Sequence, residues 1–215
     1  MFRLIVFDLD GTLIDSRRDI ADAANRLLES CGAPALPEDR IGRMVGDGAA
    51  TLVARAFEAS GRPRPPDALE RFLELYHERL LVHTAAYPGM IDVLDRLQQR
   101  AALAVLTNKP LGATRAILHG LDLARFFLDA AVVGGDGPFP RKPDPAGLQH
   151  IQTNARVDAA RTLLVGDSLI DFRTARAAAT PICLARYGFG FEGFPTELIE
   201  PGDRIIAAPN DLLRL

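Results

Sequence analysis

The apolar positions of this chain change rhythm at two points. Residues 3–7 (RLIVF) form an almost unbroken apolar run, the pattern of a strand covered on both faces in a parallel sheet. The segment that follows reads as helical. Ile20, Ala23, Ala24, Leu27 and Leu28 recur at helical spacing and predict a helix over 19–28. Residues 49–59 and 69–81 carry the same period, and GRPRPP (61–66) separates them. From YPGM (87–90) onward, helical and strand patterns alternate. Helices are predicted over 91–100, 111–118, 144–151 and 171–179. Strands are predicted over 103–106 (LAVL), 130–133, 162–165 (TLLV) and 182–185, and Ile205 and Ile206 mark a last one. Such alternation predicts an α/β fold: a Rossmann-like parallel sheet with helices on both faces. A small all-helical unit is inserted after the first strand. The expected division is a core of residues 1–15 and 86–215 and a helical cap of residues 16–85.

Composition narrows the class. The chain has 215 residues, 48% of them hydrophobic, enough for a sizeable core. The net charge is -3 with both signs mixed along the sequence, which gives no basis for binding nucleic acid or a membrane surface. No apolar run approaches the roughly 18 residues of a membrane span. The N-terminal apolar stretch breaks at Asp8, too early for a signal peptide. Cys31 and Cys183 lie far apart with no metal-type spacing, so the expected setting is reduced and cytoplasmic.

The chemistry sits where the apolar runs stop. The first strand ends in Asp8 and Asp10. LAVL ends in Thr107, Asn108 and Lys109. TLLV ends in Gly166, Asp167 and Ser168, with Asp171 one helical turn on, and Lys142 lies in the loop RKPDP. Ligands of open α/β sheets bind outside the carboxyl ends of the strands, so these groups should converge on one crevice. Crowded carboxylates repel one another unless a cation intervenes. An all-oxygen acidic set without His or Cys suits a hard ion, Mg2+ above all. Thr107, Lys142 and backbone N–H groups then fit as a phosphate clamp, and Gly11 allows close backbone approach. Alternation sends Asp8 and Asp10 to the same side, where one can be a nucleophile and the other a general acid and base.

Four motifs in this order, DLDGT (8–12), LTN (106–108), the lysine of RKPDP (141–145) and VGDSLID (165–171), resemble those of the haloacid-dehalogenase-like phosphatases over nearly the whole chain. MVGDGA (44–49), YPGM, TNKP (107–110) and GGDGPFPRKPDP (134–145) resemble the phosphoglycolate phosphatase branch. The resemblance implies that Asp8 is the nucleophile and a Mg2+ ligand. It implies that Asp10 protonates the leaving alcohol, activates water and binds Mg2+ through its carbonyl. Thr107, Asn108 and Lys142 would hold the phosphoryl oxygens, and Asp167 would bind Mg2+ with Asp171 behind it, second shell or water-mediated. The implied partner is a small phosphorylated metabolite, 2-phosphoglycolate first, and the chain a monomer or homodimer. Its carboxylate wants an arginine or backbone N–H groups, for which the cap offers Arg43, Gly46 and Gly48, with Arg17, Arg18 and Arg55 as further cations.

Plainer readings stand beside these. Asp171 has the role of a helix cap open to it, GGDG that of a turn, and Lys109 that of a partner for a nearby acid. Alternative activities are a sugar-phosphate mutase, another small-molecule phosphatase, or a non-catalytic phosphate-binding module. Mutases of the family often carry Val where Thr12 stands, and its dehalogenases replace Asp10 with an aromatic residue.

Overall fold

The computed structural model describes all 215 residues. In chain order its elements are β1 (Leu4–Phe7), β2 (Ile14–Asp15), α1 (Arg17–Ser30), α2 (Glu38–Gly42), α3 (Ala49–Ser60), α4 (Ala68–His77), β3 (Ala85–Ala86), α5 (Met90–Leu97), β4 (Ala102–Leu106), α6 (Leu111–Gly120), β5 (Val132–Val133), α7 (Ala146–Ala155), β6 (Thr162–Gly166), α8 (Leu169–Ala177), β7 (Ile182–Ala185) and β8 (Arg204–Ile206). Six strands make one sheet in the order β5-β4-β1-β6-β7-β8, and every pairing is parallel. β1 is central, with Phe7 opposite Val105 of β4 and Val165 of β6. The chain builds outward from β1 in one direction, then in the other. The crevice at the carboxyl end of β1 is therefore the topological switch point of a doubly wound sheet.

Alternation along the strands divides the core. Ile5, Phe7, Leu103, Val105, Leu163 and Val165 point to one face and join a cluster of 42 buried residues. Leu4, Val6, Ala104, Leu106 and Leu164 point to the other and pack against Leu148 and Ile151 of α7 and Phe172 and Ala175 of α8. Helices thus cover both faces, as the alternating pattern predicts. The larger cluster takes in Ile20, Ala24 and Leu27 of α1, Leu52 and Phe57 of α3, and Phe72 and Tyr76 of α4. The helical insertion therefore shares one continuous core with the sheet.

The insertion leaves and rejoins the sheet through a two-stranded antiparallel ribbon, with Ile14 opposite Ala86 and Asp15 opposite Ala85. Asp19, wholly buried in the first turn of α1, pins the returning chain. Its Oδ2 accepts the N–H groups of His83 (2.8 Å) and Thr84 (2.7 Å) and the Thr84 hydroxyl (2.8 Å). The helix read over 69–81 stops at His77. Residues beyond it close single turns, and Arg79 reaches back to Asp22 of α1 at 2.6 Å. The five-residue α2 and the two-residue β2 and β3 add to the elements read from the sequence.

Candidate active site

Asp8, Thr107 and Asp167 each follow a strand, β1, β4 and β6 respectively, and all three are buried with Asn108, Lys109, Lys142 and Asp171. The turn after Asp8 runs close to Asp167. Gly11 has φ +83°, and a Cβ there would stand 1.9 Å from the Asp167 Oδ2. Glycine is required at that position by conformation and by space together. Leu9, between the two acids, is fully buried in the core and so fixes the turn.

Lys142 ties the acids together. Its Nζ lies 2.8 Å from Asp8 Oδ1 and 2.6 Å from Asp171 Oδ1. Asn108 holds the backbone of that lysine: its Oδ1 accepts the Lys142 N–H at 2.8 Å, and its Nδ2 donates to the Lys142 carbonyl at 2.9 Å. The same Nδ2 donates at 2.9 Å to the carbonyl of Gly46 in the insertion. Both amide hydrogens are thus engaged, and the Asn108 side chain has no donor left for a phosphoryl oxygen. What it can offer is its backbone N–H, which, like those of Leu9 and Asp10, has no protein acceptor. All three follow the carboxyl ends of β1 and β4, and free backbone N–H groups of this kind can serve an anion. Asp171 is both a helix cap and a partner of the lysine. Its Oδ2 accepts from the Ser168 hydroxyl (2.6 Å) and N–H (3.1 Å), completing a capping box at the start of α8. The turn GGDG braces the second loop: Gly135 N–H bonds the Lys109 carbonyl at 2.8 Å, and Asp136 accepts from Leu111 N–H at 2.7 Å.

The electrostatics call for a cation. Oxygens of Asp8, Asp167 and Asp171 lie within 4.8 Å of one another, all buried. Burial pushes the Asp8 carboxyl up to about 7, with Lys142 opposing and Asp171 and Asp10 reinforcing the rise. Asp167 is held well above the usual carboxylate range by burial and by Asp8 and Asp171, against a 2.7 Å bond from the Gly190 N–H. Lys142 lies above its ordinary range because Asp171 and Asp8 outweigh its burial. Three carboxylates against one ammonium leave a surplus of negative charge. An all-oxygen donor set of that kind fits a hard divalent ion.

A second cluster was less legible in the sequence. The Asp10 Oδ1 accepts from the Ser16 hydroxyl at 2.5 Å, and Lys109 Nζ lies 2.9 and 3.1 Å from the two Asp10 oxygens. Tyr76, from α4 of the insertion, accepts from the same Nζ at 2.6 Å. Burial pushes the Tyr76 hydroxyl up to about 12, so it stays protonated. The lysine directly after Thr107 and Asn108 was visible as a candidate ion-pair partner. Tyr76 occupies an ordinary core position of an amphipathic helix, and no local signal sets it apart.

A cavity of about 250 Å3 opens over these groups. Its floor is Asp8, Asp10, Thr107, Lys109 and Asp167, and its roof includes Ile20, Val45, Leu52, Phe72 and Tyr76 of the insertion. Gly46 and Gly48 line it where the insertion meets the sheet. No arginine does. Arg43 is half-exposed and pairs with Glu192 at 3.5 Å, Arg17 pairs with Glu38 at 3.2 Å, Arg55 pairs with Asp47 and Arg18 is exposed. Of the three expected cap contacts, Gly46 and Gly48 thus line the cavity and Arg43 lies outside it.

The family model of haloacid dehalogenase-like hydrolases matches residues 5–185. A phosphoglycolate phosphatase of Rhodospirillum rubrum is 43% identical over 201 residues, spanning 89% of this chain and 83% of its own length. A plasmid-encoded phosphoglycolate phosphatase of Cupriavidus necator is 38% identical, spanning 90% of this chain and 85% of its own. Among solved structures, a predicted phosphoglycolate phosphatase of Haemophilus somnus superposes with a TM-score of 0.90 at 28% identity, covering 99% of this chain and 97% of that one. With the four motifs assembled at the switch point of the sheet, these matches establish that the chain belongs to the haloacid dehalogenase-like hydrolase family, among whose members it is similar to the phosphoglycolate phosphatases.

Proposed function

We propose that this hydrolase is a Mg2+-dependent phosphatase of small phosphomonoesters, 2-phosphoglycolate first among them, working through an aspartyl-phosphate. The observation that carries the reading is the pair Asp8 and Asp10 on the floor of one cavity, with Asp8 held by Lys142 at 2.8 Å. Asp8 attacks phosphorus and the bond from phosphorus to the ester oxygen breaks. Asp10 gives its proton to the departing alcohol. It then takes a proton from the water that attacks the aspartyl-phosphate, which frees phosphate and restores Asp8. Lys142, Thr107 and the free N–H groups of Leu9, Asp10 and Asn108 hold the phosphoryl oxygens. Asp8, Asp167 and the carbonyl of Asp10 would hold the ion, with Asp171 beside them. Bound there, Mg2+ supplies positive charge against the crowded carboxylates and the phosphoryl group.

In this reading residues 16–85 act as a cap over a catalytic core of 1–15 and 86–215. The substrate preference is supported by the names of relatives at 38–43% identity. The carboxylate of 2-phosphoglycolate would be met by N–H groups where Gly48 begins α3 without a side-chain cap, with the Arg141 guanidinium, which lies against Gly48, beside them. Phosphate release from 2-phosphoglycolate and from p-nitrophenyl phosphate, with Mg2+ and with excess chelator, tests the proposal. Turnover of both esters that vanishes with chelator is expected. Full activity in chelator contradicts the metal requirement. Turnover of p-nitrophenyl phosphate alone contradicts the substrate.

A further inference from the structure

The crevice contains two buried lysines whose hydrogen bonds differ. Lys142 has two carboxylate partners, Asp8 and Asp171, which leaves one of its three N–H donors for the crevice. Lys109 has none to spare: Asp10 takes two at 2.9 and 3.1 Å and Tyr76 takes the third at 2.6 Å. Lys109 is therefore not a phosphate ligand, although it lines the cavity. Its partners lie on different parts of the molecule. Asp10 and Ser16 belong to the turn after β1 and the entry to α1, whereas Tyr76 comes from the far end of the insertion on α4. The Tyr76 ring is fixed by stacking on Phe72, with centroids 5.9 Å apart. Lys109 side-chain exposure is 5% and that of Asp10 11%, so water does not compete for these bonds.

We propose that Lys109 is a positioning residue that holds the Asp10 carboxyl group in place for proton exchange with the leaving alcohol and the attacking water, and that Tyr76 of the insertion completes its donor geometry when seated over the crevice. The inference rests on the phosphatase reading above and adds to it a coupling between the insertion and acid–base catalysis. With all three donors engaged, the ammonium has one orientation, and Asp10 is clamped between it and Ser16. Without the Tyr76 oxygen, one N–H is free to turn and the clamp loosens. Lys109 itself exchanges no proton in either half-reaction.

The test compares Lys109→Met, Tyr76→Phe, Asp10→Asn and the double variant Lys109→Met/Asp10→Asn, all with Mg2+. 2-Phosphoglycolate and β-glycerophosphate have alkoxide leaving groups that need a proton; p-nitrophenyl phosphate does not. For Lys109→Met, kcat on the alkyl esters should fall by roughly 10²-fold, whereas single-turnover release of p-nitrophenol should fall by less than about tenfold. KM should change little. Tyr76→Phe, which keeps the ring and its stacking, should show the same split at smaller size, with a melting temperature lowered by no more than several degrees for the one buried N–H left unpaired. The double variant should be no slower than Asp10→Asn alone in steady-state turnover of p-nitrophenyl phosphate. Equal losses on all three esters, or losses that multiply in the double variant, would overturn the positioning role while leaving the phosphatase reading intact. A wild-type chain inert toward all three esters would overturn both.

Discussion

Asp8 and Asp167 are two carboxyl groups that the fold keeps from water and crowds together, and the protein feels this in its stability. Both are raised above the ordinary carboxylate range, Asp8 to about 7, with burial the leading cause. Between about pH 4 and pH 7 the metal-free native state thus binds more protons than the unfolded chain, whose carboxyls titrate near 4. Stability rises with pH only where the unfolded state binds more protons, so the contribution of these two groups falls across that window. Thermal melts in chelator should accordingly give a higher melting temperature at pH 5 than at pH 8. Mg2+ at about a hundredfold its dissociation constant would add about 2.7 kcal/mol, or roughly 5–10 °C for a chain of this size. The gain should be seen at pH 8 and shrink at pH 5, where protons compete for the ligands. A metal-free protein that is equally stable at both pH values would contradict the carboxylate crowding. At this scale the sequence was most informative for groups that directly end a strand, because position there is dictated by backbone alternation. It was least informative for Asn108 and Tyr76. What those side chains touch depends on loops 62 and 33 residues away in sequence.

Elements were legible in proportion to their length and period. β1, β4, β6 and β7 read directly as apolar runs bounded by polar turns, and the first three carry the site. A two-residue strand such as β2 or β3 has no period to read, and the single buried aliphatic side chain of α2, Ile41, gives no helical pattern. α4 ends at His77, where propensity alone would have continued the helix, and Arg79 just beyond it pairs with Asp22 of α1. The strand core makes its own prediction. Leu164 lies wholly buried in β6, between the sheet and α7 and α8, three residues before Asp167. Leu164→Ala should cost roughly 2–5 kcal/mol in urea unfolding, with kcat at saturating substrate retained at temperatures where the variant stays folded. A cost below about 1 kcal/mol would mean that the second face of the sheet is not packed as described.

For the whole molecule, the sheet order and the insertion together place one cavity at the switch point, roofed by helices that share a core with the floor. Because Phe7 of the sheet and Leu9 of the turn after it cluster with Ile20, Leu52 and Phe72 of the insertion, the two parts should unfold together. Calorimetry should show one transition, and two separated transitions would contradict a continuous core. The α/β class, the strands of the six-stranded sheet and the three longer inserted helices were legible from periodicity. The shared core was not, since periodicity says which face is apolar but not what it meets. The central claim concerns Asp8 and Asp10, and it is tested most directly by quenching Asp10→Asn during reaction with p-nitrophenyl phosphate and Mg2+. General acid–base assistance of roughly 10²–10⁴-fold is then missing, yet the good leaving group spares the first step while hydrolysis of the aspartyl-phosphate stalls. A burst near one equivalent of p-nitrophenol is predicted, with intact mass showing one added phosphoryl group that maps to Asp8. A phosphoryl group on Ser16, Ser168 or a histidine would contradict the account.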